Sequence, residues 1–88
     1  MAELEKLTLA VFLADVETEL ASARAKHAPL HSHHEAYAVI LEELDEYWDE
    51  VRKRQSQRNP AAIYDELVQI ATGAARAAID CQSTEDWQ

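Results

Sequence analysis

This sequence predicts an all-α domain, on three observations. The chain of 88 residues holds one glycine and two prolines, which leaves few turns and favours a small number of long helices. Its apolar residues recur at three- and four-residue spacing, the period of a helix rather than of a strand. The breaks between the periodic stretches, at Pro29 and at Asn59-Pro60, carry the chemistry that stops and starts helices. The expected architecture is one domain over residues 1–88, built as an antiparallel helical hairpin plus an N-terminal helix. The helices are expected at about 4–26, 33–55 and 60–81, followed by a polar tail at 82–88.

The first helix has no breaker between Leu4 and Lys26. Leu9, Phe12, Leu13, Val16 and Leu20 share one face and form the expected core stripe. Leu4, Leu7 and Val11 point the other way, so the first half of this helix is apolar on two sides. Such a helix needs two partners, and the second is expected to be another subunit. Oligomerisation would then complete a helical bundle.

Pro29 ends that helix, because a proline inside it would remove a hydrogen bond and clash with the preceding turn. Ser32-His33-His34-Glu35 has the capping-box pattern, serine at N-cap and glutamate three residues on. His27, His31, His33 and His34 straddle the break without a zinc spacing and with no cysteine nearby, so they read as loop and surface residues. At the end of the second helix Arg52, Lys53 and Arg54 suit the negative pole of the helix dipole, and Glu50 and Arg54 make a favourable pair four apart. Asn59 caps the third helix with Pro60 at its first position. In that helix Ile63, Tyr64, Leu67, Ile70, Ala71, Ala74, Ala75 and Ala78 share a broad face, and Glu66, Gln69, Gly73 and Asp80 form a separate stripe beside it. Gly73 disfavours the helix by about 1 kcal/mol relative to alanine. Its small size therefore serves close approach, either of a second helix or of a ligand.

Composition limits the functions on offer. With 48% hydrophobic and 28% charged residues, the chain has the balance of an ordinary folded domain. At this length it buries roughly 60–65% of the surface of its unfolded chain. A net charge of −9 argues against nucleic acid as a direct partner, since phosphates must be met by clustered Lys and Arg. An acidic protein that handles phosphates needs metal ions between. The single Cys81 excludes an internal disulfide and fits a reducing compartment. No apolar run approaches the ~20 residues that span a bilayer, and the N-terminus lacks the order of a signal peptide. The expected location is the cytoplasm, with no membrane partner.

The stretch from Leu41 to Glu50 is the most informative. Tyr37, Ile40, Leu41, Leu44, Tyr47, Trp48 and Val51 form one apolar stripe, with Glu43 and Glu50 on its flank and Glu42, Glu46 and Asp49 opposite. Acids stand three or four apart throughout, and each such pair destabilises a helix by roughly 0.2–0.5 kcal/mol. The helix dipole does not offset this so far from the first turn. Solvation of an exposed face, a bound cation or a basic partner would each tolerate the crowding. If the hairpin brings Glu66 opposite Glu43 and Glu46, carboxylates converge from two helices into a site suited to Mg²⁺, a hard cation that takes oxygen ligands and shares its shell with phosphates.

The order Glu43-x-x-Glu46, nineteen residues, then Glu66-x-x-Gln69 resembles the motif of the MazG-like all-α nucleoside triphosphate pyrophosphohydrolases. The resemblance extends from Ser32 to about Cys81 and includes the entry His34-Glu35-Ala36-Tyr37-Ala38-Val39-Ile40-Leu41-Glu42-Glu43. It implies a helical homodimer or tetramer that splits nucleoside triphosphates to monophosphate and pyrophosphate with Mg²⁺, clearing unwanted nucleotides. By position it implies Glu43, Glu46 and Glu66 as metal ligands and Glu42 with Glu43 as catalytic residues. Tyr37, Tyr47, Trp48 and Tyr64 are available to stack on a base, Tyr47 and Trp48 foremost, although core packing is the first expectation for each.

Gln69 departs from the pattern, standing where the family has an aspartate ligand. An amide oxygen can coordinate Mg²⁺ but brings no charge and cannot act as a base. Gln69 and Asp80 are therefore candidates for an additional ligand, Asp80 lying three turns further along. The departure also leaves open a catalytically degenerate descendant of the fold that binds or regulates. An unrelated helical bundle whose acidic face meets a basic protein is the third reading.

Overall fold

Residues 6–82 are described in a computed structural model, and every regular element among them is helical. Helix α1 spans Leu9–Lys26, α2 spans His33–Val51 and α3 spans Pro60–Asp80, with a single 3₁₀ turn at Gln55–Gln57. The expected positions of Leu4 and of the tail from residue 83, Trp87 included, lie outside the described residues.

Each helix begins on a side-chain cap. Thr8 Oγ1 accepts from the Val11 N–H at 3.2 Å, so α1 starts at Leu9 rather than near Leu4. Ser32 Oγ accepts from the Glu35 N–H at 3.1 Å. The reciprocal bond of the capping box is displaced by one residue, because Glu35 Oε1 accepts from the His31 N–H at 2.6 Å. Asn59 Oδ1 accepts from the N–H groups of Ala61 and Ala62, at 3.0 and 3.3 Å, with Pro60 at the first helical position.

Helix α2 ends at Val51, four residues before the expected Gln55. Arg58 explains the early stop. Its Nε donates to the carbonyls of Val51 at 2.8 Å and Lys53 at 3.2 Å, taking over oxygens that a longer helix would have used. The expected Glu50–Arg54 pair is replaced by Glu50 with Lys53 at 2.8 Å, and Asp49 pairs with Arg52 at 3.2 Å. Glu50 also accepts from the Asn59 N–H at 2.7 Å, which ties the end of α2 to the cap of α3. Lys53 and that N–H hold the Glu50 carboxyl below its ordinary range.

Helix α3 is the common partner: α1 and α2 both pack on it and scarcely meet each other. Along the α2–α3 contact, Glu50 meets Asn59, Ile40 faces Gly73, and Ala36 packs with Cys81 and Leu30, flanked by Val39 and Ala77. A Cβ built on Gly73 would stand 3.1 Å from Ile40 Cγ1, so close helix approach accounts for the glycine. Cys81 is fully buried. Against α1, the Phe12 and Tyr64 rings meet edge to face at 6.1 Å and 76°, and Tyr64 donates a hydrogen bond to Asp15.

The inward faces are rotated from those expected. On α1 Phe12, Val16 and Leu20 are half-buried, but Leu9 and Leu13 are 72% and 55% exposed. Helix α3 covers only the flank of the α1 stripe nearest Phe12 and Val16. On α2 the inward positions are Ala36, Val39, Ile40, Glu43, Tyr47 and Glu50, while Tyr37, Leu41, Leu44 and Trp48 face outward. The neighbour's contour chose which edge of each broad stripe to cover.

Asp80 closes the far end of the fold. Its Oδ1 accepts from Arg24 Nη2 and its Oδ2 from the Leu30 N–H, both at 2.9 Å. Burial opposes its charge, but the Leu30 N–H and the Arg24 guanidinium outweigh it and hold the carboxyl below its ordinary 3.8. Because the folded value is depressed, this stabilisation is present above pH 3.8 and is lost as the pH falls through the folded value. Asp80→Asn should lower stability at neutral pH by about 1–3 kcal/mol. Urea unfolding should show that gap narrowing toward zero once the solution is acidic enough to protonate Asp80 in the wild type.

Candidate functional site

Glu43 and Glu46 lie one helical turn apart on α2, and Glu66 projects from the second turn of α3 to meet them. One oxygen from each of the three carboxylates lies within 4.8 Å of the other two. Glu43 and Glu66 are half-buried and Glu46 is exposed, so the cluster sits at the edge of the helix interface, open on one side. Glu66 Oε2 is withdrawn from solvent and has no hydrogen-bond partner among the described residues.

Three like charges this close cannot all ionise without help. Burial is the largest influence on Glu43, followed by a hydrogen bond to Glu46 and the charges of Glu46, Glu66 and Glu42; together they push its carboxyl up to about 7. Glu66 is likewise pushed up to about 7, by burial first, then by a hydrogen bond to Glu46 and by the charges of Glu46, Asp65 and Glu50. Glu46 stands between the two and serves as the shared acceptor when they are protonated. A cation would replace those protons. The donor set is all carboxylate oxygen, which suits Mg²⁺ or Ca²⁺ and not a soft metal.

Beside the cluster opens a groove of about 580 Å³. Glu42 and Glu43 form its wall on α2, and Gln69, Thr72, Gly73 and Arg76 line it on α3. Glu19, Ala23 and Lys26 of α1 close it, and His27 to His31 of the connecting loop form its mouth. Arg76 Nη2 donates to the Ala28 carbonyl at 3.3 Å, which fixes that loop over the groove.

Several sequence expectations meet here and others do not. Glu43, Glu46 and Glu66 come together, Glu42 joins them on the groove wall, and Gln69 lines the same groove. Asp80 is engaged by Arg24 and Leu30 and is not one of the three clustered carboxylates, so it is a structural clamp rather than a ligand beside Glu66. Neither Tyr47 nor Trp48 lines the groove, and Trp48 is 58% exposed on the outward face of α2. Tyr64 is taken up by its contact with Asp15, which, ahead of burial and the charges of Asp15 and Asp65, pushes its phenol up to about 12. His27 and His31, read as loop residues, line the mouth, and Thr72 was not singled out at all. The stripe Glu66, Gln69, Gly73 pointed to this face of α3, and Thr72 stands beside it at helical spacing.

No protein-family model, curated protein or solved structure matches this chain. Among the described residues, no helix is long and apolar enough to cross a membrane.

The cluster makes stability depend on pH in a definite sense. Glu43 and Glu66 hold protons in the folded chain up to about pH 7, whereas an ordinary glutamate loses them near 4.5. Their contribution is present below that lower value and is lost as the pH rises through the higher one. In EDTA the melting temperature should therefore fall between about pH 5 and pH 8, and Glu43→Gln should lose less over that interval. Millimolar Mg²⁺ should restore the wild type and leave Glu43→Gln unchanged.

Proposed function

We propose that this chain is a Mg²⁺-dependent nucleoside triphosphate pyrophosphohydrolase of the MazG-like all-α type. It would convert ribo- or deoxynucleoside triphosphates to monophosphate and pyrophosphate, a clearing reaction in the cytoplasm. The observation that carries this reading is the convergence of Glu43, Glu46 and Glu66 from two helices, at the edge of a groove large enough for a nucleotide. The orphaned Glu66 oxygen and the raised Glu43 and Glu66 carboxyls are what a cation-binding set looks like when protons stand in for the ion.

Glu43, Glu46 and Glu66 would hold the Mg²⁺, which supplies positive charge against the phosphate oxygens and acidifies water. The reaction breaks the α–β anhydride. Water forms the new bond to phosphorus, pyrophosphate leaves with the electron pair of the broken bond, and the water's proton passes to a carboxylate. Glu42, exposed on the groove wall, is the acceptor this reading assigns. Gln69 supplies a neutral amide where a further acid would increase the repulsion.

The same reading makes the chain a homodimer or tetramer, its α2–α3 hairpin and α1 forming part of a larger bundle. Tyr37, Leu41, Leu44 and Trp48 support it. They stand at alternating four- and three-residue spacing along the outward face of α2, the spacing of a helix–helix seam. One observation favours a second reading. With Gln69 in place of an acid, the site would bind a nucleotide and Mg²⁺ without turnover, as a regulatory module.

Incubation with Mg²⁺ and a panel of nucleoside triphosphates, followed by product separation, decides between them. Monophosphate and pyrophosphate should appear in equal amounts, and Glu43→Gln should lower kcat by about a hundredfold or more. Binding without products would select the regulatory module. A melting temperature indifferent to Mg²⁺ would remove both.

A further inference from the structure

The hydrolytic reading uses the acidic end of the groove and assigns nothing to its middle. Thr72 is the side chain that needs an account there. It lines the groove, is 2% exposed, and its Oγ1 has no hydrogen-bond partner among the described residues. A helical threonine commonly settles its hydroxyl on a carbonyl three or four residues back, and Thr72 does not. A buried hydroxyl left unbonded forfeits its hydration with no return, whereas valine would fill the same space without that loss.

The neighbours of Thr72 indicate what the hydroxyl serves. Gln69, three residues earlier, lies next to it on the helix surface and lines the same groove. Gly73 adds no side chain, so at this level α3 lines the groove with Thr72, Gln69 and backbone. Thr72 stands about 9 Å along the helix axis from Glu66, with Gln69 halfway, at ~1.5 Å per residue. From an α-phosphate held beside Glu66, the shorter reach to the pentose hydroxyls would end between Gln69 and Thr72. Glu19, Glu35, Glu42 and Glu43 line the same groove and outnumber its cations, Lys26 and Arg76, a balance that disfavours a run of phosphates through it and favours a neutral hydroxylated group.

We propose that Thr72 and Gln69 form a neutral hydrogen-bonding subsite for the pentose hydroxyls of a nucleotide whose α-phosphate lies at Glu43, Glu46 and Glu66. The inference rests on the nucleotide reading above and goes further by naming the residues that set sugar specificity. Both side chains donate and accept, as a vicinal diol does. Neither carries a charge that would compete for the cation. A site built to bond a hydroxyl rejects the analogue that lacks it, so ribonucleotides are preferred over 2′-deoxynucleotides.

The test is calorimetric binding, with Mg²⁺, of three probes: the α,β-methylene analogue of a ribonucleoside triphosphate, its 2′-deoxy counterpart, and inorganic tripolyphosphate. Thr72→Val should weaken the ribonucleotide about tenfold or more. It should bring the ribo-to-deoxy ratio toward one and leave tripolyphosphate unchanged. Thr72→Ser should restore the preference, and the melting temperature of Thr72→Val should match or exceed that of the wild type. Wild-type affinities for all three probes in Thr72→Val would overturn the proposal, showing the hydroxyl to be a packing defect alone. An equal loss on tripolyphosphate would overturn it in favour of a phosphate contact, and so would a wild type that does not discriminate the sugars. Ribose discrimination without turnover of authentic triphosphates would support the subsite and remove the hydrolytic reading. Failure of both nucleotides to bind would remove both.

Discussion

Packing α2 against α3 places three carboxylates in one small volume, and the rest of the fold is arranged around that constraint. At one end of the interface Glu50 reaches from α2 to the Asn59 N–H and binds the two helices across their turn. At the other end Leu30, Ala36 and Cys81 form the small buried cluster, with Asp80 holding the Leu30 N–H beside it. Between these ends Ile40 lies on Gly73, where an added methyl group would stand 3.1 Å from Ile40 Cγ1 and push it aside. Fixed at both ends and pressed together in the middle, the helices cannot move apart to relieve the repulsion of Glu43, Glu46 and Glu66. Burial at this interface first, and the crowding second, push the Glu43 and Glu66 carboxyls up to about 7.

The acids of α2 therefore have three different fates within a few residues. Glu50 is a structural clamp whose charge is neutralised by Lys53 and a backbone N–H. Glu43 is turned inward toward another acid, and Asp49 lies on the surface with Arg52 for company. Only the inward position brings acids of two helices together. The difference follows from where each residue stands around the helix relative to α3, since the side chains are nearly the same.

Helix α1 contributes less to stability and more to shape. It has no buried residue among its eighteen, yet Glu19, Ala23 and Lys26 wall the groove and Arg24 secures Asp80. Its outward leucines and the Tyr37–Trp48 face of α2 leave large apolar side chains exposed among the described residues.

Much of this was legible in the residues alone. Asn59-Pro60, Ser32 with Glu35, and Pro29 determined where α2 and α3 begin and where α1 must stop, because caps and prolines act over a few bonds. Helical spacing likewise determined that Glu43, Glu46 and Glu66 occupy definite faces, so that their meeting hung on one condition, the hairpin bringing Glu66 opposite. What the sequence could not determine was which edge of each broad apolar stripe would be covered. That depends on the contour of the opposing helix and on Gly73, so Leu9, Leu13 and Trp48 turned outward while Glu43 turned in. The end of α2 likewise depended on Arg58, seven residues beyond it, and the role of Asp80 on Arg24, a partner 56 residues away. The orphaned hydroxyl of Thr72 became visible only with the groove around it. Local bonding rules act within a few residues and can be read from the chain, whereas a choice between neighbouring faces exists only once two helices are in contact.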